Sequence, residues 1–284
     1  MKTILVPTDF SNCSADTIKY AIHFAERTER KLLFFHSTFL LIPTRSSKST
    51  YLRTAKSEKE LKLKMLVEFV ENIYSSLSIE RDKNKTKFFV KFGNSVIENI
   101  FELLNEQFID LIIIGNTSST SFQKFFIGSN TANVIEQSYC PVLSIPNKYQ
   151  FDGIKTIAYA SSNLDDIEKE LKKVIPVAQK FIASLIVFYV TPNDTSMDSF
   201  EKFKTIEFRK SLVKHFKFEN IYLQVIDGER NTLIDSIENF VKNNKPDMLI
   251  MLTHKRGFFN KILDPSQTQE ISYQMTIPLM ALKQ

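Results

Sequence analysis

One segment in the first half of the chain contains the residue types that bind phosphate. It starts at Gly115 directly after an apolar run, includes Ser118, and ends at Gly128-Ser129, where an amphipathic pattern begins. Glycines let a backbone approach an anion closely, and the free N–H groups and dipole of a helix start favour negative charge. The spacing is neither that of a P-loop nor the dinucleotide G-x-G-x-x-G pattern. The alternative is a strand-ending turn followed by an N-cap serine.

The other reactive residue types form no recognisable catalytic or metal-binding pattern. The four histidines lack H-x3-H and H-E-x-x-H spacing, and the two cysteines, Cys13 and Cys140, belong to no C-x-x-C pair. A helix N-terminus could lower the thiol pKa of Cys13, although an ordinary small residue is the simpler interpretation. His36, at the end of an apolar strand, could contact a ligand, but a hydrogen-bonded core histidine is simpler. Because no Ser/His/Asp or Cys/His set can be assembled, we expect neither catalytic residues nor a metal, and a dedicated enzyme is the weaker class.

Composition limits the class of protein further. The 284 residues are 43% hydrophobic and 24% charged, which fills ordinary cores and excludes disorder for most of the chain. The two cysteines cannot form a disulfide framework, so we expect a protein of the reducing cytoplasm. The apolar run before Pro7 is too short for a signal peptide, and no run reaches the length of a membrane span. The net charge of +5 is not accompanied by an arginine-rich stripe, and nucleic acid is therefore an unfavoured partner.

The chain contains an internal repeat. Residues 110–115 match residues 247–252 at an offset of 137, and residues 2–4 match residues 155–157 at an offset of 153. A match at constant register over many positions indicates two copies of one structural unit. Because the two offsets differ by 16, the first half carries about sixteen extra residues, which we place within residues 40–64.

Strand and helix patterns alternate in each half. Apolar runs such as Leu111 to Ile114 are continuous, as in strands that helices bury on both faces. Between them lie segments such as Ser95 to Gln107, in which apolar residues recur at helical spacing. The alternation predicts an α/β fold with two five-stranded, doubly wound parallel sheets, in domains 1–148 and 153–284. Ligands in such folds bind at the carboxyl ends of the strands.

Two charged stretches are assigned structural roles. The acidic residues Asp165, Asp166, Glu168 and Glu170 fall in the first turns of a predicted helix, where the helix dipole favours them. The lysine-rich stretch from Lys56 to Lys64 is the solvated face of an amphipathic helix.

Four segments carry a resemblance to a known family. They are Ile4-Leu-Val-Pro-Thr-Asp9-Phe-Ser, Leu33-Phe-Phe-His36, Gly115-x2-Ser118-x9-Gly128-Ser129 and Cys140-Pro-Val-Leu. Together they resemble the universal stress protein family, in which an ATP-binding branch has the pattern G-x2-G-x9-G-S/T and a loop that wraps the phosphates. The resemblance covers nearly the whole chain, once in each half, and therefore implies a tandem protein of Rossmann-like domains.

The resemblance implies six nucleotide-binding positions in the first half: Asp9, Ser37, Gly115, Ser118, Gly128 and Ser129. Asp9 would contact the adenosine, Ser37 would line the base site, and Gly115, Gly128 and Ser129 would hold phosphate and ribose. Ser118 stands where the family pattern has its second glycine. If that position needs a left-handed backbone, serine costs about 1 kcal/mol of strain; otherwise its hydroxyl adds a donor.

The second half departs much further from the pattern. Its equivalents of the glycine and serine positions are Leu252, Lys255, Pro265 and Ser266, and Ser162 aligns with Asp9. Proline lacks the N–H that would meet a phosphate, so we expect no family-type ATP site there. The basic loop around His254 could attract an anion, but a solvated loop is the simpler interpretation.

These observations lead to two hypotheses. The first is a cytoplasmic stress-response protein whose first domain binds ATP or AMP as a regulatory ligand, with the two domains forming an intramolecular pseudo-dimer through their fifth strands, and with a homodimer as a further option. The second is a nucleotide-free scaffold or protein-interaction module of the same fold. Slow ATP hydrolysis would require a base that the sequence does not identify.

Overall fold

The computed structural model describes residues 2–39, 48–93, 95–116, 129–161, 164, 166–190, 206–226, 233–253 and 276–283. The chain divides into two compact units, and the boundary between them lies between Phe151 and Asp152. Each unit is described by itself below.

The first unit is an α/β domain in which strands and helices alternate. Its elements are β1 (Thr3–Pro7), α1 (Asn12–Thr28), β2 (Lys31–Thr38), α2 (Lys48–Ser76), β3 (Thr86–Phe92), α3 (Val96–Glu106), β4 (Leu111–Asn116), α4 (Ser129–Gln137) and β5 (Val142–Pro146). The strands pair in parallel in the order β3-β2-β1-β4-β5. The direction of strand addition reverses between β1 and β4, which makes the carboxyl edge of this pair the expected ligand site.

The continuous apolar runs form the core of this sheet. Ile4, Leu5 and Val6 in β1 and Ile112 and Ile113 in β4 are completely buried, because helices cover both faces of a parallel sheet. The helix that follows β1 is delimited at both ends: Ser11 caps α1 by accepting a hydrogen bond from the Ser14 N–H, and Glu29 ends it in a left-handed conformation at φ 54°.

The second unit has the same alternation. Its described elements are β6 (Thr156–Ser161), α5 (Ile167–Phe181), β7 (Ser184–Val190), α6 (Ile206–Phe216), β8 (Ile221–Ile226), α7 (Leu233–Asn244), β9 (Met248–Thr253) and β10 (Leu279–Lys283). These strands pair in parallel in the order β10-β9-β6-β7-β8. Two α/β units with doubly wound parallel sheets confirm the predicted fold class.

The sequence offsets place equivalent strands on one another. Adding 137 to the bounds of β4 and β5 gives the bounds of β9 and β10. The hydrogen bonds at the start of the central strand also correspond, since Asp110 Oδ2 accepts from the Thr3 N–H at 2.8 Å and Asp247 Oδ2 accepts from the Thr156 N–H at 2.8 Å. The same short polar contact therefore fixes the fourth strand to the first in both units.

The helix α2 is much longer than the strand it precedes. At 29 residues it measures about 43 Å, whereas the seven residues of β3 span about 23 Å. Its carboxyl half packs on the sheet through Leu66 and Val70, which are completely buried, while Leu52 and Leu61 are 58% and 52% exposed. The described part of the predicted extra segment is therefore a helical extension of α2.

The segment after β5 packs against α1. The Phe151 ring meets the Tyr20 ring edge-on at 5.0 Å and stacks on the His23 ring at 5.1 Å. Gly153 follows at φ 89°, a left-handed conformation that favours glycine. Aromatic contacts thus fix this segment to the first unit up to Phe151.

No helix within the described ranges is long and apolar enough to cross a bilayer.

Candidate ligand-binding site at the carboxyl edge of the first sheet

Three of the predicted site residues lie at the carboxyl ends of three adjacent strands. Asp9 follows β1, Ser37 is near the end of β2, and Gly115 is near the end of β4. The β1–β4 pairing stops at the Leu5 position, although β1 continues to pair with β2 as far as Pro7. The crevice predicted by the strand order therefore lies between Asp9 and Gly115.

The carboxylate of Asp9 is held by the first turn of α1. Its Oδ1 accepts a hydrogen bond from the Ser14 hydroxyl at 2.6 Å and another from the Ser11 N–H at 3.0 Å. Partial burial raises the pKa of Asp9, but the hydrogen bonds from Ser11 and Ser14 outweigh it and leave the pKa below the ordinary value. Asp9 is therefore ionised at neutral pH, and its Oδ2 takes part in neither of these bonds.

Phe10 turns the chain from β1 into α1 in a left-handed conformation. Its φ is 66°, which costs a non-glycine residue on the order of 1 kcal/mol. Its ring packs on His36 at 4.3 Å and meets Phe69 edge-on at 5.4 Å, contacts worth about 0.5–1.5 kcal/mol each. The aromatic contacts thus offset the backbone strain that positions Asp9 and Ser11.

His36 beneath this ring is a hydrogen-bonded core residue. Its Nδ1 lies 2.9 Å from the Thr8 carbonyl oxygen, and because a carbonyl can only accept, Nδ1 carries the proton. Burial lowers the pKa of His36; the Thr8 bond opposes this and the charge of Lys62 adds to it. The imidazole is therefore neutral, in agreement with the simpler sequence interpretation.

Ser37 is held in place by a side chain of α3. The Asn99 side chain in α3, which is 2% exposed, donates from Nδ2 to Ser37 Oγ at 2.8 Å. A Cβ at Gly93 would overlap Asn99 Oδ1. Gly93 therefore provides the space for the amide that orients Ser37.

Gly115 is in close contact with α1. A Cβ at this position would lie 2.7 Å from Thr17 Oγ1 and 3.0 Å from Cys13 Sγ. The Thr17 hydroxyl cannot easily move, because it donates to the Cys13 carbonyl at 2.8 Å. Burial, followed by the charge of Asp9, raises the pKa of Cys13, so the option of a thiol with a lowered pKa is not supported.

The rest of the predicted phosphate segment lies outside the described residues. This applies to Ser118 and Gly128, while Ser129 is described only as the first residue of α4. The structure thus brings together Asp9, Ser37 and Gly115.

The equivalent position in the second unit is occupied by a different set of side chains. Leu252 near the end of β9 stands where Gly115 stands in β4 and is 4% exposed. Glu170, the counterpart of Thr17, is 3% exposed and accepts hydrogen bonds from Tyr159 at 2.6 Å and Ser161 at 2.8 Å. Glu170 is therefore a buried residue of α5 that bonds the central strand, a role that its assignment to the helix dipole did not include. The counterparts Ser162, Lys255, Pro265 and Ser266 and the loop residue His254 lie outside the described residues.

Sequence reasoning missed the residues that support the site. Ser14, Thr17 and Asn99 are polar residues at buried helical positions. The signal that could have identified them is a polar residue on the apolar stripe of a helix, because such a group is buried only with a hydrogen-bond partner. Within the ranges that the structure describes, no three His, Cys, Asp or Glu residues are placed to hold a metal ion.

Comparison with known proteins agrees with this fold. The sequence profile of the universal stress protein family matches residues 1–146. The chain is 30% identical over 162 residues to universal stress protein MJ0577 of Methanocaldococcus jannaschii, an alignment that covers 52% of this chain and 96% of that protein. It is 26% identical over 153 residues to universal stress protein MJ0531 of the same organism, covering 51% and 81% respectively.

Solved structures extend the similarity of fold. A universal stress protein from Archaeoglobus fulgidus matches with a TM-score of 0.67 at 14% identity, covering 99% of this chain and 98% of that one. One from Pseudomonas aeruginosa matches with a TM-score of 0.62 at 14% identity, covering 100% and 93%. From the profile match over residues 1–146 and the relatives that align with it, we conclude that this chain belongs to the universal stress protein family.

Proposed function

We propose that the first unit binds an adenine nucleotide, ATP or AMP, as the regulatory ligand of a cytoplasmic stress-response protein, and that the second unit does not. The observation that carries this proposal is the placement of Asp9, Ser37 and Gly115 at the carboxyl ends of β1, β2 and β4. This edge of a doubly wound sheet is where such folds bind ligands.

Each of these residues supports a different part of the ligand. The ionised Asp9 would accept hydrogen bonds from adenosine, and a charged acceptor gives stronger hydrogen bonds than a neutral one. Ser37, oriented by Asn99, would line the base site. Gly115 presents backbone without a Cβ, and with Ser118, Gly128 and Ser129 it would hold ribose and phosphate.

The second unit supports the other half of the proposal. Leu252 adds a side chain where Gly115 has none, and Glu170 has a carboxyl group at the position equivalent to Thr17. A phosphate placed there would meet the apolar side chain of Leu252 instead of a backbone without a Cβ. We therefore assign the ligand to the first unit alone.

A regulatory ligand fits this edge better than a substrate. Hydrolysis needs a general base close to the γ-phosphate. Among the titratable side chains described at this edge, Asp9 is held by Ser11 and Ser14 with a lowered pKa, and His36 is buried and bonded to Thr8. Neither is suited to activate a water molecule.

Calorimetric titration of the nucleotide-stripped protein with ATP, AMP and adenosine tests the proposal. We expect the wild type to bind ATP, and both Asp9→Ala and Gly128→Asp to weaken binding at least tenfold, since each removes or repels a ligand contact. Asp152→Ala is the matched control, because that carboxylate is fully exposed. Among the described residues it forms an ion pair only with Lys155, at 3.9 Å.

A wild-type protein that binds no adenine nucleotide at millimolar concentration would exclude the proposal. The second candidate, a nucleotide-free interaction module, would then be favoured by the exposed leucines on the amino-terminal half of α2.

We also propose that the two domains form an intramolecular pseudo-dimer, with a homodimer as a further option. Separately expressed halves should then each aggregate or dimerise, and two stable monomers would contradict the pairing.

A further inference from the structure

A cleft of about 270 Å³ opens at the amino-terminal edge of the first sheet, opposite the edge that carries Asp9. Its apolar floor includes Ile22, Leu32 and Tyr74, all more than nine-tenths buried. This volume is slightly below the usual range for drug-sized ligands, so the cleft suits a smaller molecule.

The rim of this cleft is predominantly acidic. Four carboxylates line it, those of Glu26, Glu29, Glu80 and Asp82, against two cationic side chains, Arg30 and Lys85. Lys85 pairs with Asp82 at 3.6 Å, and the charge of Arg30 interacts with Asp110 outside the cleft. The remaining charge of the rim is therefore negative.

Two helix ends add to this negative potential. The cleft is lined by the last turn of α1, which ends at Thr28, and by residues at and just after the end of α2, which ends at Ser76. The carboxyl end of a helix carries a partial negative charge and favours cations. Both helices thus contribute in the same direction as the carboxylates.

The side chain of Tyr74 lines the cleft. Tyr74 is 6% exposed, and its hydroxyl forms no hydrogen bond with any residue in the described part of the chain. Burial raises the pKa of Tyr74 to about 12; the charge of Arg81 opposes this, and those of Glu26, Glu71 and Asp82 add to it. The hydroxyl is therefore protonated at neutral pH and can accept a hydrogen bond from a ligand. A hydroxyl that lines a cleft and has no hydrogen-bond partner among the described residues is available to a ligand or to water.

We propose that this cleft is a binding site for a small aliphatic ammonium ion, with the hydrocarbon chain on Ile22 and Leu32, the ammonium group at Tyr74 Oη, and charge neutralisation by Glu26 and Glu80. A small inorganic cation is a poorer ligand for this cleft, because it has no apolar surface to bury on the floor. The acidic rim excludes an anion of the same shape.

Titration of the full chain with three four-carbon probes at fixed ionic strength tests this site. The probes are 1,4-diaminobutane as the cation, butane-1,4-diol as its neutral analogue and succinate as its anionic analogue. We expect only the diamine to bind, with NMR shifts confined to the methyl groups of Ile22, Leu32 and Ile79. Tyr74→Phe and Glu80→Gln should each weaken binding about three- to tenfold, the loss of one hydrogen bond or one charge.

Glu68→Gln is the matched control, because Glu68 lies on the exposed side of α2 and pairs with Lys64 at 3.9 Å outside the cleft. Absence of diamine binding up to about 10 mM would overturn the proposal. Equal binding of the diol or succinate, or equal weakening by Glu68→Gln, would also overturn it. These outcomes do not depend on ATP, since the cleft shares no residue with the nucleotide site.

Discussion

Among the described residues, the carboxylate of Asp9 is positioned by serines and not by a cation. Ser14 approaches Oδ1 at 2.6 Å and is itself 8% exposed, so the bond is shielded from water on one side. A charge held by hydrogen bonds from the start of a helix keeps its negative potential, whereas a salt bridge would cancel it. Asp9 therefore remains able to bind a neutral donor such as a ribose hydroxyl or an amine.

In the Ser14→Ala variant, the stability of the first unit should change less between about pH 6 and about pH 2.5 than it does in the wild type. The pKa of Asp9 is lower in the folded protein than in the unfolded chain, where it is about 4. Ionised Asp9 therefore stabilises the fold above about pH 4, and this stabilisation disappears as the pH falls through the folded pKa. The variant loses part of this lowering of the pKa. We therefore expect the destabilisation by Ser14→Ala to be larger at about pH 6 than at about pH 2.5.

Urea unfolding at the two pH values measures this difference, and an NMR titration of the Asp9 carboxyl carbon measures the pKa directly. Ser57→Ala is the control, because that serine of α2 is exposed and its hydroxyl donates to the Thr54 carbonyl of the same helix. A destabilisation by Ser14→Ala that is the same at both pH values would contradict the assignment.

Gly115→Ala should destabilise the first unit by about 1–3 kcal/mol, the usual cost of overpacking. The new Cβ would lie 2.7 Å from Thr17 Oγ1, so either β4 or α1 must shift. Adding Thr17→Ala removes that oxygen and should recover part of the loss. A denaturation cycle of the two single variants and the double variant measures the coupling, and strictly additive effects would show that the contact is unimportant.

The two halves of α2 have different roles, although one helical pattern runs through both. The sequence places apolar residues at Leu61 and Leu66 without distinguishing them, yet Leu66 is completely buried and Leu61 is 52% exposed. The difference arises because the sheet is shorter than the helix. Only the carboxyl half of α2 has a sheet to pack against.

Leu66→Ala should therefore cost about 2–5 kcal/mol of unfolding free energy, because it removes buried methyl groups and leaves a cavity. Leu61→Ser should change stability by less than about 0.5 kcal/mol, since its side chain is already solvated. Chemical denaturation of both variants checks the contrast. A similar loss in the two variants would mean that the amino half of α2 is covered in solution.

The strands and helices could be predicted from sequence because their patterns are local. The run Leu111 to Ile114 predicted β4, and the spacing in Ser95 to Gln107 predicted α3, which spans Val96–Glu106. For the site, the prediction rested only on the family resemblance and on the positions of the strand ends. The contacts of Asn99 with Ser37 and of Thr17 with Gly115 join residues 62 and 98 positions apart in the chain, respectively. No local pattern contains such pairs, since they depend on how α1 and α3 cover the sheet.

The two units share a scaffold but differ where a ligand would bind. Both fix the fourth strand to the first with an aspartate, Asp110 in one unit and Asp247 in the other. They differ at Thr17 and Glu170, and at Gly115 and Leu252. The two units have thus kept the same contact at the start of the fourth strand, whereas the residues at the carboxyl edge differ.

Glu170→Ala should destabilise the second unit and leave ATP affinity unchanged. Tyr159 and Ser161 would lose their acceptor, which costs about 1–3 kcal/mol for each buried hydroxyl. Hydrogen exchange should accelerate in β6 and α5, while calorimetry gives the wild-type affinity for ATP. Glu168→Ala is the control on the exposed face of the same helix. An affinity that falls more than about threefold would contradict a site confined to the first unit.

The bonds of Glu170 also restrict how the second half of the chain can evolve. Restoring glycine at Leu252 alone would remove a buried side chain, and replacing Glu170 alone would remove the carboxylate to which two buried hydroxyls donate. Each single step towards a phosphate site therefore reduces stability before any binding can be selected. The packing of the second unit thus opposes a return to the residues that the first unit has at these positions, and this leaves its surface, rather than its crevice, as the part that is free to acquire a new role.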